Sequence, residues 1–123
     1  HALDELVDER RSHKLAGMNA LLVLSTFPDI EKARQIGTAL VESQLAACVN
    51  LIPAIESIYR WQGAVQEDAE FRLLFKTAAD RVQPLLDALR ELHPYELPAL
   101  HAWPVAAADP AFAGWIVEST RAD

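Results

Sequence analysis

The sequence predicts an α+β domain. It consists of a four-stranded antiparallel sheet, two helices on one of its faces and one more helix at the C-terminal end. Three observations lead there. Apolar residues recur at helical spacing in three segments and alternate, or run on, in four others, and the segments follow one another as β-α-β-β-α-β-α. The second and third strands are separated only by a short stretch carrying Gly63, so they form a hairpin. The chain is 123 residues long and 51% apolar, enough to fill one core and too short for two.

Residues 1–17 (HALDELVDERRSHKLAG) are charge-dense, precede the only methionine, Met18, and have no apolar signal region. They read as an artificial leader or an N-terminal arm, and residues 18–123 as the single domain. NALLVLSTF (19–27) is continuously apolar, as a central strand is. PDIEKARQIGTALVESQL puts Ile30, Ala33, Gly37, Leu40 and Val41 on one helical stripe, with Pro28, Asp29 and Glu31 suited to its start. AACVNLIPAIESIYRW (46–61) is a long strand in which Pro53 removes a ladder donor, so a bulge or an edge is expected there. QGAVQED reads as a turn or loop, and AEFRLLFKT (69–77) as the returning strand.

The arms of this hairpin are longer than the domain needs, and an overlong hairpin leaves edge to be covered, for instance by another chain. AADRVQPLLDALRELH repeats Val82, Leu85, Leu86, Leu89 and Leu92 at helical steps and must stop before Pro94. LPALHAWPV is a short fourth strand. DPAFAGWIVEST is a last helix with Asp109 as N-cap, Pro110 at its first position and Phe112, Trp115 and Ile116 on one face. The first six elements make the ferredoxin-like split β-α-β arrangement. Its second sheet face is bare in a monomer, although these strands are apolar, so oligomerisation is expected.

The net charge of −7 sets the chain against a nucleic-acid backbone. A single cysteine forms no internal disulfide, which suits a cytoplasmic protein. No apolar run approaches the ~20 residues of a membrane-crossing helix. Cys48, His93 and His101 show no CxxC, HxH or HExxH spacing. Cys48 reads as a small buried hydrophobe and His101 as a surface or interface residue. Ser25, Thr26 and Cys48 have no adjacent base, and the four glycines (17, 37, 63 and 114) make no phosphate loop. Tyr59, Arg60, Trp61, Glu70, Arg72 and Lys76 gather on the hairpin. They are either cross-strand pairs at an interface or the wall of a polar, aromatic pocket between subunits. In LRELHPYELPAL, His93, Tyr95 and Glu96 are acid, base and orienting group of a site, or simply a proline-stiffened corner.

TFPD after the first strand, LAACVNLIP, SIYRWQG, Glu70 with KT, HPYELP and WPV, in that order, together resemble the CutA divalent-cation tolerance family from about Ala20 to Glu118. The resemblance implies a ferredoxin-like fold and a tight homotrimer whose long hairpins join sheets between subunits. It implies a cytoplasmic protein of copper and divalent-metal tolerance, PII-like in architecture, with no catalytic activity. Two rivals remain: a purely structural, anchoring or signalling trimer without a metal site, and an enzyme using His93 and Glu96.

The resemblance implies, from the best-studied bacterial type, copper ligands that are a cysteine ending the first strand and two consecutive histidines before Pro-Tyr. Here those positions hold Ser25 and Leu92-His93, and Ala99 replaces an acidic residue, so His93 is the one metal ligand carried over. The expected inter-subunit pocket comprises Tyr59, Trp61, Glu70, Lys76, His93, Tyr95 and Glu96. Tyr59 and Trp61 form its walls, Glu70 and Lys76 pair as charges, and copper or another divalent cation is the possible guest.

Overall fold

The structure, a computed structural model, describes residues 20–121. The leader or arm expected over 1–17 lies outside the described residues. The element order is β1 (Ala20–Phe27), α1 (Ile30–Glu42), β2 (Cys48–Trp61), β3 (Ala64–Ala78), a 3-10 turn (Ala79–Arg81), α2 (Val82–Leu92), β4 (His101–Pro104) and α3 (Pro110–Ser119). The sheet runs β2-β3-β1-β4 with every neighbouring pair antiparallel, which is the ferredoxin-like arrangement with an added C-terminal helix.

Each boundary has a local cause. The Asp29 carboxylate accepts the Lys32 N–H at 2.9 Å and caps α1, and Asp109 accepts the Phe112 N–H at 3.1 Å and caps α3 behind Pro110. The chain leaves α2 at His93, which is extended (φ −69, ψ 138) as a residue before proline should be. Gly37 lets α1 lie close on the sheet, because a Cβ there would stand 3.3 Å from Val49 Cγ1. The core sits between the helices and one sheet face: Val23, Phe27, Leu73 and Phe75 meet Ala33, Ile36, Leu40, Leu85 and Leu89.

The register maps the opposite, open face row by row. Trp103, Leu22, Lys76 and Cys48 lie abreast; next come His101, Leu24, Leu74 and Asn50; then Thr26, Arg72 and Ile52. Leucines of this face are only half-buried, and Arg72 Nε is sheltered without an acceptor among the described residues.

Several expectations need correction. QGAVQED is not a loop, because Gln62 (φ 50) and Gly63 (φ 83) close a two-residue turn and β3 starts at Ala64. Positive φ at both central positions matches the twist of the flanking strands, so pairing continues to the tip at Trp61 and Ala64. Strand β4 is confined to His101–Pro104, since Pro98 brings no N–H to a longer ladder. Cys48 is half-buried rather than buried, because β2 is an outer strand. Of the three residues expected on one face of α3, only Ile116 is buried, against Ala20 and Ala47, while Phe112 and Trp115 stack on each other in the open.

Candidate functional site

A cavity of about 600 Å³ opens where the distal hairpin, the end of β1 and the 95–99 segment converge. Five of the seven residues expected at a pocket line it: Tyr59, Trp61, Glu70, Tyr95 and Glu96. Thr26, Ser57, Arg60, Leu97 and Ala99 complete the lining.

The bulge at Pro53 and Ala54 brings the hairpin residues to the cavity. Ile52 pairs with Arg72 and Ile55 with Glu70, so β2 takes three steps where β3 takes two, and Ala54 absorbs the difference at φ 60. Side chains alternate along a strand, so one extra residue exchanges the faces. Beyond the bulge the odd-numbered Ser57, Tyr59 and Trp61 share a face with Asp68 and Glu70. Without it Ile58 and Arg60 would stand there instead.

Glu70 is 7% exposed, and its Oε2 accepts the Tyr95 hydroxyl at 2.6 Å. Burial first, then that bond to the carboxylate, holds the Tyr95 phenol well above its ordinary pKa. The Tyr59 hydroxyl donates to Asp68, and this bond is the main cause of the raised Tyr59 pKa. Both phenols are therefore committed donors in a negative environment.

His93 stands behind this wall rather than in it. Its Nε2 lies 2.8 Å from the Thr26 carbonyl, on the part of β1 that β4 leaves unpaired, and its Nδ1 accepts the Tyr95 N–H at 3.1 Å. An acceptor Nδ1 makes the ring neutral with its proton on Nε2. The ring stacks on Phe27 at a centroid distance of 4.2 Å and lies 4.9 Å from the Tyr95 ring. Burial lowers its pKa, against the opposing pull of the Thr26 bond and the Glu70 charge.

Glu70 and Lys76, expected as a charge pair, are apart. They share a face, but six residues of strand separate them by roughly 20 Å. The Lys76 ammonium instead donates to Asn50 Oδ1 at 2.7 Å. The face shared by Ile55, Ser57, Tyr59 and Trp61 is as the alternation of β2 predicts, but sequence reasoning missed Asp68, which a correct placement of the turn at 62–63 would have put beside Tyr59.

The copper positions implied by the resemblance do not form a soft-metal site within one chain. Ser25 faces the helical layer, fully buried, with its Oγ unpartnered among the described residues. Leu92 offers no ligand atom, and both His93 nitrogens are taken. Among the described residues no three His, Cys, Asp or Glu side chains converge as ligands.

A sequence model for the CutA1 divalent ion tolerance protein matches residues 21–119. The chain belongs to the CutA1 family. The "Divalent-cation tolerance protein CutA" of Thermus thermophilus is 46% identical over 99 residues, which cover 80% of this chain and 96% of the relative. The solved structure of the Thermus thermophilus CutA1 superposes with a TM-score of 0.79 at 45% identity, covering 83% of this chain and 99% of that one. "Protein CutA, chloroplastic" of Arabidopsis thaliana is 35% identical over 83% of this chain and 56% of its own length, so CutA relatives occupy more than one compartment. Among the described residues no helix of this CutA1 member is long and apolar enough to cross a membrane.

Proposed function

We propose that the chain works in divalent-ion tolerance as a non-enzymatic, cytoplasmic homotrimer that takes a small ligand in the hairpin pocket at a subunit boundary. The observation that carries this reading is the distal hairpin. Ile58 is 69% and Val65 63% exposed on its far face, and a two-stranded hairpin with no third layer is marginal in water. In a trimer the other two copies can cover the apolar side chains on one face and close the pocket on the other. The half-buried leucines of the open sheet face and the unpaired Arg72 Nε call for the same cover. A divalent cation held here takes donors from more than one chain, because a single chain does not assemble them.

Complementation tests the role of the pocket. In cells lacking the gene and challenged with copper, the wild-type chain restores growth, and Trp61→Ala at equal protein level does not. Full restoration by Trp61→Ala sinks the pocket as the functional site.

A further inference from the structure

We propose that the hairpin pocket binds a small organic ammonium ion, its charge on Glu70 and its apolar body against Trp61 and Tyr95. This rests on the reading of the pocket as the functional site and adds the class of its guest. Three features of the lining select that class.

The first is the state of Glu70. It is almost fully sheltered, its Oε2 takes the Tyr95 hydroxyl, and Oε1 has no partner among the described residues. A sheltered carboxylate with an open oxygen accepts a charge-assisted N–H bond, and such bonds are about twice as strong as neutral ones. The second is that the two phenols beside the carboxylates are not free donors. The Tyr59 and Tyr95 hydroxyls are both spent on carboxylates, so an anion placed at Glu70 would meet acceptors and rings. Arg60, the lining's one cation, is exposed to water, where its charge is screened.

The third is the aromatic surface. Tyr59 and Trp61, two residues apart on one strand face, and Tyr95 across from them present three rings to the cavity. Aromatic faces attract cations that carry little bound water, which favours alkylammonium over a hydrated metal ion. The raised pKa values of Tyr59 and Tyr95, to which Asp68 and Glu70 both contribute, report the same negative field. A cavity of about 600 Å³ has room for more than a bare ammonium, so the guest carries an apolar body.

The test compares two probes of one shape. Titration of the full chain with 2-phenylethylammonium and with the neutral 2-phenylethanol, followed by amide shifts at fixed ionic strength, gives both dissociation constants. The ammonium is expected to bind at least roughly tenfold tighter. Glu70→Gln abolishes that preference. Glu56→Gln, which removes an identical charge from the opposite face of the same hairpin, leaves it intact.

Equal affinity for the two probes in the wild-type chain overturns the proposal even if Glu70→Gln fails to fold. A preference surviving in folded Glu70→Gln overturns it too. The walls named here come from one chain, and the titration is made on the assembled protein. A trimer that complements copper tolerance yet ignores the ammonium refutes the guest and leaves the pocket's role standing.

Discussion

Between Cys48 and Ile52, and between Arg72 and Lys76, the hairpin lies on the helical layer and buries Leu73 and Phe75 completely. Beyond the bulge, from Ile55 to Trp61 and from Ala64 to Glu70, it has a pocket on one face and exposed Ile58 and Val65 on the other. The pairing continues through both halves. What differs is the third layer. The proximal half is stabilised by its own chain's core, and its apolar alternation is answered inside the domain. The distal half carries the same alternation with only the 95–99 segment and the end of β1 on its pocket face, and Ile58 and Val65 open on the other.

Damage to the proximal half should cost most. Phe75→Ala is expected to remove ~3–5 kcal/mol of stability, read from denaturant midpoints. A loss under about 1 kcal/mol would place the core elsewhere. Deleting Ala54 attacks the boundary between the halves. It restores uninterrupted alternation, turns Tyr59 and Trp61 away from Glu70, and should abolish 2-phenylethylammonium binding while far-ultraviolet circular dichroism stays native. Retained binding would show that the bulge does not orient the pocket.

These two halves were not equally legible in the sequence. The helices, the core strands, the N-caps and the end of α2 at His93 follow from spacing and proline chemistry, which are local. Pro53 announced an irregularity, but its consequence depends on how many residues the partner strand spends opposite it. The turn was misplaced because Gln62 carries no strong signal for positive φ, and with it went the partnership of Tyr59 and Asp68. Glu70 and Lys76 looked like a pair because both are conspicuous charges on one face. The strand's rise sets them far apart, and Glu70 instead met Tyr95, which only the fold brings near. The His93 corner was weighed as architecture or chemistry, and its two nitrogen contacts are those of architecture.

Smaller effects sharpen the contrast at single contacts. Tyr95→Phe leaves the nearly buried Glu70 carboxylate without its donor and should cost ~1–3 kcal/mol by chemical denaturation. His93 has a folded-state pKa below its ordinary 6.5, so the unfolded chain takes up its proton first as the pH falls. Its contribution to stability is present above about pH 6.5 and is lost as acid protonates the ring. The melting temperature should drop between about pH 7 and pH 5, and His93→Gln should flatten that part of the profile. An unchanged slope would mean that other groups cause it. Smallest of all, Asp80→Asn should shift stability by ~1 kcal/mol or less. The Asp80–Arg121 pair is bidentate at 2.6 Å, and its Arg121 partner lowers the Asp80 pKa, but both side chains are exposed.

The central claim is that the distal hairpin is completed by other copies of the chain, and solution mass tests it most directly. Multi-angle light scattering at low micromolar concentration should give three times the chain mass for the wild-type protein. It should give a lower mass for the Ile58→Glu, Val65→Glu double variant, whose far-ultraviolet spectrum stays native. A wild-type mass equal to one chain, with the hairpin amides protected from exchange, would contradict the account.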